Sequence, residues 1–374
     1  MFTRRNIALC ASSVAAHIGG NGRYINSLIE SSSKMPSLNL DVYAIKYEIK
    51  SKRLRKICYL KRNDNINYIP VNGIPLAFLL NFADLSFAFN LMNKIKPKIT
   101  SYDVIHFNQM QMPKIVDFFL NNHENIVYTL HHPWTFDLKE NNDKIFWHSA
   151  VKFDKINALK IPKIITVSKD SKRKIVKDYN VIPEKIHVVY NGIDTDRFKS
   201  FEDIQKNENQ VLFVGDTTNK RKGFNILFNA FKKFVLKEIP EAKLHVVGKQ
   251  KGLVDRSVYY HTFISDEELV KLYNSSMLTA VPSVYEAFSY PCVESMSCGT
   301  PVVASSNGGI PEVVGDNKTG LLSGLDEKSL ADNIVYLLEN QNVTREMGRT
   351  GIKRAREYFS LEKMLQETIK VYNR

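Results

Sequence analysis

Along both halves of this chain, short runs of Val, Ile and Leu alternate with amphipathic helical patterns, and that recurrence leaves few folds open. In the first half the runs are Asn6–Cys10, Leu40–Ala44, Val104–Phe107, Ile126–Leu130 and Lys163–Val167. In the second they are Gln210–Val214, Lys243–Val247, Tyr259–Phe263, Met277–Val281 and Pro301–Ala304. Nearly continuous apolar runs of this length suit strands buried on both faces of a parallel sheet. Parallel neighbours need a crossover, and the helical patterns supply it. Asn225–Glu238 puts Ile226, Leu227, Phe231, Phe234 and Val235 on one face. Asp266–Asn274 follows Ser265, a good N-cap, and opens with acidic residues. Repeated strand–helix units predict doubly wound α/β domains, and 374 residues suffice for two.

The boundary falls near Tyr190–Asp194, where Asn191-Gly192 after a strand signals a turn. The polar stretch Phe201 to Gln210 reads as a loop before the second domain. The expected division is 1–190 and 191–358, with a C-terminal helix at about 359–374 packing back on the first domain. Ligands of such domains bind beyond the carboxyl ends of the strands.

Composition narrows the class. Apolar residues are 44% and charged residues 24%, which excludes disordered and collagen-like chains. Cys10, Cys58, Cys292 and Cys298 form no CxxC pair, which argues against zinc ribbons and thioredoxin-like chemistry and for a reducing, cytoplasmic setting. No window reaches the ~18 uninterrupted apolar residues of a spanning helix. Ile74 to Met92 comes nearest and is broken by Asn81, Asp84 and Asn90. The N-terminus reads as a buried strand entering a loop at Ala15-Ala-His-Ile-Gly-Gly, in preference to a signal peptide.

Net charge is +13, and all of the excess lies in residues 1–192, which hold 28 Lys/Arg and 15 Asp/Glu. The remaining residues hold 24 of each. Such a half attracts nucleic acid, an anionic bilayer or a phosphorylated substrate, or simply keeps the chain soluble. Its clusters are Lys46 to Arg62 and Lys169 to Lys177. With no zinc finger, RNP-type pattern or helix-turn-helix, nucleic acid is not an expected partner.

The chemistry concentrates in Val281-Pro-Ser-Val-Tyr-Glu286-Ala-Phe288-Ser-Tyr-Pro-Cys292-Val-Glu294. Seven residues separate Glu286 from Glu294, and a helix is expected near Pro291. A helix start offers free N–H groups and a positive dipole end to a diphosphate. A carboxylate one turn in can accept from a ribose diol. Spacing alone equally allows a helix-dipole partner and a loop carboxylate.

This stretch resembles the EX7E region of GT-B-fold retaining glycosyltransferases of family 4, also called glycosyl transferases group 1. The likeness continues through Thr300–Leu322, Val189–Phe198, Ile264–Leu269 and Leu272-Tyr273 in the family's order. It implies two Rossmann-like domains facing across a cleft, acceptor side first and donor side second. By that resemblance Glu286 contacts the donor sugar and Glu294 holds the ribose hydroxyls. The stretch Phe288-Ser289-Tyr290-Pro291-Cys292 lies on the phosphates, to which its N–H groups, Pro291 having none, are backbone donors. Phe263 and Ile264 hold the base through the main chain. In Gly215-Asp216-Thr-Thr-Asn-Lys220-Arg221-Lys222-Gly223, Lys222 matches the family's diphosphate lysine. The family often has Arg where this chain has Asp216. Either Lys220 or Arg221 replaces that cation, or the loop is arranged differently.

Gly19-Gly20, after the first strand, matches a loop that the family places against the reacting centre. Val127-Tyr-Thr129-Leu-His131 resembles the family's VxTxH and puts His131 at a strand's carboxyl end as a catalytic candidate. His132 and His106 read as a loop and a structural histidine, and Ser168 lies at another strand end. Asp194-Thr-Asp196 looks like a metal-binding DxD but sits in a turn, and the resemblance implies no metal and no cofactor.

The function implied is retaining transfer of a hexose-type sugar from a nucleoside-diphosphate sugar, UDP- or GDP-linked, to an acceptor hydroxyl, in glycan, glycolipid or polysaccharide synthesis. The acceptor would be a saccharide, lipid-linked or otherwise anionic, with peripheral contact of the basic half at the inner membrane face. The rivals are a nucleotide-sugar epimerase or phosphorylase of this fold and a non-catalytic sugar-nucleotide binding protein.

Overall fold

The computed structural model describes residues 4–11, 19–45, 64–72, 80–108, 112–135, 138, 145–249, 256–262 and 264–374. The chain divides into two compact units, Met1–Gly192 with Leu361–Arg374, and Ile193–Ser360.

In the first unit, seven described strands form one parallel sheet: β1 (Arg5–Ala11), β2 (Leu38–Ile45), β3 (Ile66–Val71), β4 (Val104–Asn108), β5 (Ile126–Thr129), β6 (Lys163–Thr166) and β7 (Ile186–Val188). Their order is β3-β2-β1-β4-β5-β6-β7, which reverses direction between β1 and β4. Alternate side chains feed two cores. Ala8, Cys10, Ile105, Phe107, Tyr128 and Ile164 pack with Leu91, Phe119, Ala158 and Ile175 from helices on one face. Ile7, Leu9, Val104, Val127 and Ile165 pack on the other face with Tyr24, Ile25 and Leu28 of the helix Gly19–Ser33. Met364, Leu365 and Tyr372 of the last helix, Leu361–Tyr372, join that second core.

In the second unit the parallel order is β10-β9-β8-β11-β12-β13. Here β8 is Asn207–Val214, β9 Lys243–Val247, β10 Val258–His261, β11 Ser276–Val281, β12 Val302–Ser305 and β13 Gly320–Ser323. Phe213, Val246, Leu278 and Val303 pack against Leu227, Phe231, Ile334 and Leu337. The expected helix Asn225–Glu238 is Phe224–Ala230, a π-turn over Phe231–Val235 and a last turn Leu236–Glu238. Asp266–Ser275 begins with a full capping box between Ser265 and Glu268.

Two expectations are corrected. The stretch to Gln210 is not all loop: β8 starts at Asn207, its first residues exposed and polar. Gly19 and Gly20 are not in a loop but open a helix, and Gly20 is exposed with nothing near its Cβ position. Of the edge strands, β3 and β13 carry no sequence expectation, and β7 is expected only as an unbounded strand before Asn191-Gly192.

Candidate active site

In the second unit the site begins where β8 ends. After Val214 the chain turns through Gly215 and Asp216 into a short 3-10 turn, Lys220–Lys222. Asp216 caps that loop: its Oδ1 accepts from Thr218 N at 2.8 Å and Thr218 Oγ1 at 2.6 Å. Partial desolvation works to raise its pKa, but the Thr218 bonds and Lys249 outweigh it and hold the carboxyl below its usual value. Gly223 has φ +67°, and a Cβ there would lie 2.0 Å from Pro282 O. Only glycine permits that approach, which lays the Lys222 turn against the segment after β11. Arg221 O accepts from Val284 N at 2.8 Å, locking the two loops together.

That approach brings Lys222 Nζ to 2.5 Å from Glu286 Oε1, and Ser283 Oγ donates to the same oxygen at 3.1 Å. The carboxylate is mostly buried, at 14% side-chain exposure, and the lysine is at 29%. The main chain of Glu286 is held from the other side, where Gly309 N donates to its carbonyl at 2.8 Å. Gly308 (φ +62°) leaves room for this, since a Cβ there would meet Glu286 O at 2.1 Å. Arg221 lies 6.0 Å from the Tyr285 ring centroid, and Lys220 is exposed.

The helix Tyr290–Ser297 starts four residues after Glu286, with Pro291 in its first turn and no side chain capping it at Ser289. Glu294, 2% exposed, accepts from Tyr273 OH at 2.9 Å. Burial pushes the Cys292 thiol up to about 12; the Ser289 bond opposes this, and Glu286, Lys222 and Glu294 act on it through space. The thiol is therefore protonated at neutral pH and no nucleophile. Glu294 lies in the helix Tyr290–Ser297, and the Lys222–Glu286 pair involves a residue four positions before its start. Phe288 and Tyr290 are buried and pack edge to face at 5.5 Å. Ile264 precedes the capped helix Asp266–Ser275, and Phe263 lies outside the described residues.

In the first unit His131 follows β5 and is 4% exposed. Its Nε2 lies 2.9 Å from Asn108 Oδ1, at the end of β4. Burial, and secondarily His132 and His106, push its pKa down to about 3, so the ring is neutral. His106 is fully buried between Tyr372 OH and Thr129 Oγ1. Ser168 caps the helix Lys169–Tyr179 by accepting from Ser171 N.

Two family profiles cover most of the chain: glycosyltransferase family 4 over residues 19–197 and glycosyl transferases group 1 over residues 194–354. The MMP alpha-(1->4)-mannosyltransferase of Mycolicibacterium hassiacum is 31% identical over 293 residues, 73% of this chain and 71% of the relative. The chain belongs to the group 1, family 4 glycosyltransferases. Its fold is GT-B. Sucrose-phosphate synthase from Thermosynechococcus elongatus superposes with a TM-score of 0.82 at 20% identity, covering 99% of this chain and 98% of that one. HepE of Anabaena, in complex with UDP-glucose, does so at 0.75 and 18% identity, covering 98% and 99%.

In this glycosyltransferase Asp194 of the DxD-like triplet is a turn cap, accepting from Asp196 N and Arg197 N. Among the described residues no three His, Cys, Asp or Glu side chains gather as a metal site would need. No described helix is long and apolar enough to cross a membrane. The basic cluster Lys46 to Arg62 lies outside the described residues, as do much of Ile74 to Met92 and Ser12 to Ile18. Sequence reading gave no role to Ser283, Tyr273 or Asn108, which touch Glu286, Glu294 and His131. The period-two alternation of β4 held a signal for Asn108, because it shares a face with His106 and pairs with Thr129 of the VxTxH run.

Proposed function

We propose that this glycosyltransferase moves a hexose-type sugar from a nucleoside-diphosphate sugar to an acceptor hydroxyl, without a metal and with retention of anomeric configuration. The observation that carries this reading is the pairing of Lys222 with Glu286 beside the uncapped start of Tyr290–Ser297. When the sugar–phosphate bond breaks, negative charge collects on the departing diphosphate. Lys222 can exchange Glu286 for that charge, and the helix N–H groups add fixed dipoles, so stabilisation grows as the bond breaks. Glu286, released from the lysine, faces the sugar, and Glu294 accepts from the ribose hydroxyls. Retention follows if the acceptor attacks from the face the diphosphate leaves, passing its proton to the leaving phosphate oxygen. Glu286 and Glu294 are not a glycosidase pair, because each has a different partner and task.

UDP and GDP are the donor bases favoured here, supported by the UDP-glucose complex of HepE and the mannosyl transfer in the relative's name. The acceptor is read as a saccharide, lipid-linked or other anionic molecule met by the basic first half. This fits glycan, glycolipid or cell-surface polysaccharide synthesis at the cytoplasmic membrane face. Against the non-catalytic rival, Asp216 has a local task as a turn cap.

The test is transfer from UDP- and GDP-hexoses to a panel of alkyl glycosides and sugar phosphates, with the product anomer read by NMR. An α-linked product from an α-linked donor, unaffected by a chelator, is expected. An inverted product or a chelator-sensitive rate contradicts the reading.

A further inference from the structure

Behind His131 lies a buried chain of polar groups drawn from four separate elements of the first unit. Tyr372 OH, on the last helix, is 2.7 Å from His106 Nδ1. His106 Nε2 is 2.7 Å from Thr129 Oγ1, which is 3.0 Å from Tyr24 OH. The Tyr24 ring stands at 87° to the His131 imidazole, centroids 4.9 Å apart. On the imidazole's far nitrogen, Nε2 meets Asn108 Oδ1 at 2.9 Å. Tyr24, His106 and Thr129 are wholly buried, and Tyr372 and Asn108 nearly so. Polar groups so buried are costly unless each finds a partner, so the network selects one arrangement of its rings.

The proton count then follows. An amide oxygen only accepts, so the His131 nitrogen facing it must carry the hydrogen. The ring holds a single proton, because burial, His132 and His106 keep it neutral. Nδ1 is therefore bare and can only accept.

We propose that Asn108, and Tyr372 through His106, Thr129 and Tyr24, are positioning residues that hold His131 as its Nε2–H tautomer, presenting Nδ1 as an acceptor to a sugar hydroxyl. This rests on the reading of His131 as a site residue. It gives the last helix a task in turnover besides packing, since Tyr372 lies at residue 372 and the ring it steadies at 131.

The test is nitrogen-15 NMR of the full chain labelled at histidine, with His131→Gln to assign the signal. Wild type is expected to show His131 protonated at Nε2 alone, with no change between about pH 5.5 and 8. Asn108→Ala should mix the tautomers and lower kcat about tenfold while donor KM stays within about twofold. Asn108→Asp keeps the acceptor and so the tautomer, and brings an acid limb into the kcat profile, because a carboxylate favours the imidazolium. Tyr372→Phe should shift the His106 signals and lower kcat about threefold. A wild-type proton on Nδ1 overturns the proposal, as does an Asn108→Ala enzyme with unchanged tautomer and kcat. Unchanged kcat in Tyr372→Phe removes the helix from it. If Asn108→Ala does not fold, wild type and Asn108→Asp still decide. Full turnover in His131→Ala is a different failure: it ends the site reading and leaves the tautomer result standing.

Discussion

Lys222 carries the largest single electrostatic demand of the proposed reaction. Its replacement by Ala should lower kcat by about 10²–10³, the usual cost of one preorganised donor to a developing anion. Single-turnover kinetics with saturating donor reads this directly, and a kcat within twofold would remove Lys222 from the chemistry. The family resemblance singled out Lys222, Glu286 and Glu294 in sequence, because a motif and its spacing are local properties. Their partners were not legible there. Lys222 and Glu286 are 64 positions apart, and the close approach of Gly223 to Pro282 O helps bring them together. Asp216 shows the converse: a departure from the family pattern that turns out to serve its own loop.

At the scale of elements, the central strands and one edge strand, β10, were legible, and the bounds of the other three edge strands were not. A strand flanked on both sides writes a dense Val/Ile/Leu run. At the edges, β3 carries Asn67 and Pro70, β7 has three residues, and β13 begins with Gly320 beside Val302 O. Two predictions belong here. Gly223→Ala forces a Cβ into Pro282 O at a left-handed φ, so stability should fall by about 1–3 kcal/mol or more. Calorimetry should show a melting temperature lower by several degrees, and kcat should fall with it.

The second concerns the helix Ile145–Lys160, whose Asp154 is buried against β5 and accepts from Tyr128 OH at 2.5 Å. Burial raises its pKa to about 7 against the opposing bonds from Tyr128 and Trp134. The folded state thus holds this proton more tightly than the unfolded chain does. The resulting stability is full below the ordinary carboxyl pKa and is lost as pH rises through about 7. Asp154→Asn should therefore melt higher than wild type at about pH 8.5, with the gap closing towards about pH 5. A gap independent of pH would mean that Asp154 titrates normally.

Taken whole, the molecule keeps its net charge in one half: residues 193–374 are neutral and residues 1–192 carry +13. If the first unit meets an anionic acceptor, raising salt should increase acceptor KM steeply and leave donor KM nearly unchanged. Equal sensitivity of both would detach the charge from acceptor binding. The central claim is that the second unit holds a nucleoside-diphosphate sugar between Lys222, Glu286 and Glu294. Titration calorimetry of the full chain with UDP-, GDP-, ADP- and dTDP-linked sugars tests it most directly, with wild type and Glu294→Ala side by side. Wild type should bind one base class, and Glu294→Ala should bind it about 10–100-fold more weakly, the worth of a charged hydrogen-bond acceptor. Equal affinity of the two proteins, or no binding of any donor by wild type, would contradict the account.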